Sequence, residues 1–251
     1  MVEFSLQSRE ERLLKVCQSV IDNEDDLLQS LKSGKVRIES FKSSKWYDHQ
    51  RFALKSFFLE GSLLGCRQHF YTCGRLDEHL INNYDSRILE YGMAHVSYAL
   101  LSDHQGLINR YAHLRHSGYD KITKKGSIIY AIQLAIKDEL EHSYVDILDA
   151  LSQKKRNVSI QPDVTFFRAL IEKDKSGCEV AINELLTPRR HKQRNKYMEL
   201  VNEFISHPAL GYAKLAWLKG VMVELDNPLI PNVMLPVRPN SNYKDEYDFL
   251  K

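Results

Sequence analysis

Two residue pairs in this chain have the spacing of metal ligands. His113 and His116, in "HLRH", stand three apart, and Asp138 and His142 stand four apart. On a helix, either spacing puts both side chains on one face. A protein-bound zinc ion takes three or four ligands, and nothing in the sequence names the carboxylates that would complete either pair. Ten histidines spread along the chain produce such pairs by chance. They are read as hydrogen-bonded or solvated histidines, with no metal and no cofactor expected. Cys17, Cys66, Cys73 and Cys178 form no Cys-x-x-Cys pair. Cys66 and Cys73 fall on the series Phe52, Leu59, Leu63, Cys66, Phe70, Cys73, whose steps trace one helical face. That pattern predicts buried apolar thiols rather than a redox centre. The chain has no glycine-rich phosphate loop after a strand, no Gly-x-Ser-x-Gly and no His-Glu-x-x-His. No catalytic residue is expected, and the protein reads as a binding body rather than an enzyme.

Charge is the remaining chemistry. "DNEDD" gathers Asp22, Glu24, Asp25 and Asp26, and the basic stretch "KSGKVRIESFKSSK" follows at 32–45. A second basic block, "TPRRHKQRNK", carries Arg189, Arg190, Lys192, Arg194 and Lys196. Charge runs are usually solvated faces, but they can also steer an oppositely charged partner. The net charge is only +2, which argues against a dedicated nucleic-acid surface. No aromatic platform is visible beside the basic blocks, so RNA is not the expected partner either.

The elements that carry these residues are helical. Periodicity predicts helices over roughly 8–32, 45–81, 86–102, 105–117, 126–138, 140–154, 162–173, 176–187, 190–206 and 209–219. "VMVEL", 221–225, is the one plausible short strand, and four of the seven prolines fall after residue 227. The fold class is therefore all-α. Gly61 and Gly65 lie inside the predicted long helix, where small residues would let another helix approach closely. Asp103, Asp138 and Asp174 recur at 35 and 36 residues, each between two amphipathic segments. That period suits stacked helical hairpins, a degenerate tetratricopeptide-like arrangement, with each aspartate capping or closing its turn. The expected organisation is a single all-α domain over 1–251. Long helices fill 1–85, hairpins fill 86–220, and a proline-rich extended tail over 221–251 packs on the body. There is no apolar run of about 18 residues to span a membrane. The stretch "MVEFSLQSREERLLKV" lacks signal-peptide order, so the expected compartment is the cytoplasm.

"FFRALIEKDK", "HPALGYAKLAWLKG", "NPLIPNVMLP" and "YKDEYDFLK" give residues 163–251 a resemblance to the immunity-protein-forty-nine family, which is encoded beside bacterial polymorphic toxins. The resemblance implies an all-α protein that neutralises a cognate toxin domain by forming a stoichiometric complex, with no enzymatic activity. It carries over no binding residue. Asp22, Glu24, Asp25 and Asp26 are the chosen partner-binding surface, because an acidic patch could mimic the phosphates that a basic, nucleic-acid-cutting toxin grips. The alternatives are a helical-repeat adaptor or chaperone, and a small α-helical metal-dependent enzyme. Around Tyr212, Leu215, Trp217 and Leu218 a helix is expected to pack on the last hairpin. Leu229, Ile230, Val233, Met234 and Leu235 would then fill grooves, with Phe249 and Leu250 anchoring the end as a solenoid cap.

Overall fold

The computed structural model describes residues 8–251; the first seven residues of the N-terminal stretch lie outside it. It is all-α, with no strand among the described residues. A capping box opens α1 (Arg9–Asp22), with Ser8 and Glu11 each accepting from the other's backbone N–H. After α2 (Glu24–Lys32) comes α3 (Ile38–Leu54), which runs on into a π-helical turn at Lys55–Leu59. Here the predicted helix 45–81 breaks. Gly61 takes φ +64°, a left-handed value that a Cβ would oppose, and the Ser62 side chain then caps α4 (Leu63–Tyr84). Gly61 is thus a reversal, not a packing site, and α3 and α4 lie side by side as a hairpin. Cys66, Phe70 and Cys73 do share the buried face of α4, whereas Phe52 sits on the other arm. Close approach between helices occurs instead at Gly74, where an added Cβ would lie 2.8 Å from Leu107.

Three hairpins follow: α5 (Met93–Leu101) with α6 (Gln105–Tyr111), then, beyond the short α7 (Tyr119–Thr123), α8 (Ile128–Ile136) with α9 (His142–Ser152), then α10 (Gln161–Ile171) with α11 (Lys175–Leu185). The repeat is real at the level of packing. Leu107, Tyr111 and Leu114, then Val145 and Leu148, then Cys178, Ile182 and Leu185 are all buried. The aspartates diverge. Asp103 and Asp138 adopt left-handed φ of 59° and 61°, which the short polar side chain tolerates. In the third copy Lys173 takes that conformation and Asp174 is extended. Asp103 is also more than a turn closer, because its carboxylate is buried among cations.

Beyond the short α12 (Pro188–Arg194), α13 (His207–Leu218) is the centre of the fold. Every residue from His207 to Ala216 is buried. It packs on α11, as expected of the last hairpin, but also along α5, where Gly211 permits the contact: a Cβ there would come within 2.7 Å of Met93 and Ser97. The tail is expected to cap the last repeat, whereas α13 itself lies on both α5 and α11. Trp217 is only partly buried and donates its indole N–H to Val223 O at 2.9 Å.

From Gly220 the chain is extended, with only brief 3-10 turns at Asn232–Met234 and Asp248–Leu250. Val221, Val223 and Leu225 are buried and alternate with exposed Met222, Glu224 and Asp226. The period of two that suggested a strand is present, but no neighbouring strand completes a ladder. Ile230, Met234, Leu235 and Leu250 are buried, while Val233 stays exposed. The Lys214 ammonium holds this segment, donating to the carbonyls of Met234, Leu235 and Pro236 at 2.9, 3.1 and 2.9 Å. It also pairs with Asp103 at 2.6 Å, and Asp103 accepts from Arg67 Nε at 3.0 Å. Farther on, Asp245 accepts from Tyr71 and Arg75, so the last residues reach α4.

Candidate functional site

Neither pair with ligand spacing falls on a shared helical face. Helix α6 ends at Tyr111, before either residue of the first pair. His113 donates to Asn109 O at 2.9 Å, and His116 turns into the fold beside Glu90. Asp138 stands in a turn paired with Lys219, while His142 begins the next helix. All four cysteines are free and buried, and burial pushes the Cys66 and Cys178 thiols above their ordinary range.

The acidic cluster divides. Asp22 ends α1, and Glu24, Asp25 and Asp26 form the first turn of α2, where carboxylates favour the positive end of the helix dipole. Glu24 is bound to the almost fully buried Lys45 ammonium, which also faces Asp48. That leaves Asp22, Asp25 and Asp26 on the surface. The basic block divides similarly. Arg190 bonds Glu184, and Arg194 reaches the wholly buried Asp163, which also accepts from Tyr212. Arg189, Lys192 and Lys196 stay exposed.

Next to that block the structure opens a cleft of about 680 Å³, which sequence reasoning missed. Helix α3 supplies Trp46 and Tyr47, α4 supplies Asp77, and the segment into α5 supplies Tyr91 and His95. Arg194, Lys196 and Tyr197 close the far wall. Tyr47, Tyr91 and Tyr197 are 41%, 62% and 67% exposed, so three large aromatic side chains gather at one opening. Lys196 lies 4.5 Å over the Tyr197 ring. An aromatic platform therefore does accompany the second basic block, contrary to expectation; its members come from separate segments and show no periodicity in sequence.

On the cleft wall, His95 stacks on Trp46 with ring centroids 4.1 Å apart. Its Nδ1 faces both oxygens of the buried Asp77 at 3.0 and 3.1 Å, and Tyr111 also donates to that carboxylate. A carboxylate that orients an imidazole is half of a nucleophile-activating array. Among the described residues, however, His95 makes no hydrogen bond to a hydroxyl or thiol. As it stands, the pair fixes the ring against Trp46 and presents an aromatic wall. Exposed aromatic side chains at a concave opening, with the exposed Lys196 at the rim, match the anchor chemistry of protein interfaces.

Residues 78–234 match the model of the family described as Immunity protein 49. No curated protein and no solved structure matches the chain.

Proposed function

The chain belongs to the Immunity protein 49 family, and from that premise we propose that it binds a cognate bacterial toxin domain and neutralises it as a stoichiometric complex. The family match over more than half of the chain is the observation that carries this reading. The exposed tyrosines support it, because such residues concentrate binding energy when a partner desolvates them. We assign the docking surface to the cleft bounded by Tyr47, Tyr91 and Tyr197. The acidic segment at Asp22, Asp25 and Asp26 is the competing surface, with Glu24 tied down by Lys45. We place the complex in the cytoplasm, where four free thiols stay reduced.

The reading is tested by purifying the chain with the toxin encoded beside it and titrating toxin activity. The expected result is a linear loss that ends at one equivalent, with both proteins recovered intact. Full and lasting inactivation by a small fraction of an equivalent would replace binding with turnover, and the Asp77–His95 pair would be the first place to look for it.

A further inference from the structure

A second group of chemistry-bearing side chains lies away from the cleft, where the tail crosses the α3–α4 hairpin. We propose that His49, His69 and Glu246 form a binding site for a divalent cation of the zinc class, which clips the C-terminal tail to the body.

One donor atom from each of these residues lies within 4.8 Å of the other two. His49 Nδ1 and His69 Nδ1 face each other at 2.9 Å, and Glu246 Oε1 is 3.9 Å from His69 Nδ1. Tetrahedral zinc with bonds of about 2.1 Å sets neighbouring donors roughly 3.4 Å apart. These two spacings bracket that value, and Glu246, which now approaches His49 at Nε2 with Oε2 at 3.5 Å, would swing towards the Nδ1 side to complete the set. The other ring nitrogen of His49 is already committed. His49 Nε2 lies 2.8 Å from Tyr247 Oη. With its proton on Nε2, His49 donates to the tyrosine, and its Nδ1 lone pair accepts from His69 Nδ1, whose proton an ion would displace. A metal-binding histidine needs that outer support to fix its tautomer.

Access is graded in the right way. The His49 side chain is 3% exposed, His69 23% and Glu246 34%. The first ligand is thus buried, while the other two are partly open to solvent, from which water would supply a fourth ligand. Phe52 stands against both imidazoles, with ring centroids 5.9 and 5.6 Å away, and forms an apolar wall. Two imidazoles and one carboxylate favour zinc over calcium or magnesium, which prefer oxygen-only sets. The ligands come from α3, α4 and the tail, so the ion would act on folded protein and tighten the tail.

The test uses the full chain with cobalt(II) and zinc(II) alone as probes. Expected are one equivalent of cobalt with the strong visible bands of four-coordinate geometry, displacement by zinc, and slower amide exchange over residues 244–251 on zinc addition. His69→Ala and Glu246→Gln, both at partly exposed side chains, should each weaken binding by at least about tenfold. His113→Ala, remote and exposed, should leave it unchanged. Absence of saturable cobalt binding by the unmodified chain overturns the proposal. So does binding that survives both ligand substitutions, or that disappears with His113.

Discussion

His207 is wholly buried, and neither ring nitrogen finds a hydrogen-bond partner among the described residues. It stacks on Tyr98, with centroids 5.6 Å apart, at the first position of α13. Burial first, then repulsion from His95 and His191, lowers its pKa from 6.5 to about 3. Position at the positive end of a helix dipole acts in the same direction. Because the folded value is the lower one, the unfolded chain takes up the proton first as pH falls. Stability is then fully present above about pH 6.5 and drains away towards pH 3. One such histidine removes about 2 kcal/mol by pH 5, at about 1.4 kcal/mol per pH unit. Urea unfolding at pH 7 and pH 5 should show a loss that shrinks by about 2 kcal/mol in His207→Leu. An equal loss in both proteins would mean that the imidazole is solvated or paired. His49 is buried in the same way. No sequence pattern distinguishes these histidines from the exposed His113, since what sets them apart is the burial created by distant segments.

At the scale of elements, the question is what makes the last thirty residues stay. Apolar contacts from Ile230, Met234 and Leu235 contribute, but Lys214 sets the register, because three successive carbonyls and Asp103 converge on one ammonium. Burial alone would lower the Lys214 pKa, and Asp103 opposes that. Lys214→Met keeps the side chain's length and removes the charge, leaving Asp103 to Arg67. Breaking a buried pair by deleting one partner costs about 3–5 kcal/mol, and the tail carbonyls lose their donor as well. The expected outcome is a destabilisation of that order, with early proteolysis after Gly220. A change below about 1 kcal/mol would show that apolar packing alone holds the tail. Much of this scale was legible. Helical periodicity located the hairpins, and the spacing of Asp103, Asp138 and Asp174 marked their turns. The break at Gly61 was misread because apolar spacing carries across the turn with hardly a pause. The charge role of Asp103 was hidden because Arg67 and Lys214 lie far from it in sequence.

At the scale of the whole molecule, folding brings residues from widely separated segments to one rim: Tyr47, Tyr91 and Tyr197. This is why the acidic run, a local feature, was visible in the sequence and the cleft was not. The two surfaces make different demands on a partner. A charge-steered contact at Asp22, Asp25 and Asp26 would work mainly through the association rate and weaken steeply with salt, since exposed charges are screened within about 10 Å at 0.1 M. Aromatic anchors act mainly on dissociation, because escape requires water to re-enter their seats. Replacing Tyr47, Tyr91 and Tyr197 together with alanine should raise the dissociation rate of the toxin complex at least about a hundredfold, or roughly 3 kcal/mol, and abolish protection in cells. Tyr91 and Tyr197 are largely exposed, while Tyr47 packs edge-on against Trp46, so the unfolding midpoint of the free protein should fall only by what the Tyr47 contact contributes. Asp22, Asp25 and Asp26 changed to asparagine should leave dissociation unaltered and at most slow association at low salt. If the asparagine variant alone loses protection while the alanine variant retains it, the toxin docks on α1 and α2 instead. The cleft would then have no part in neutralisation.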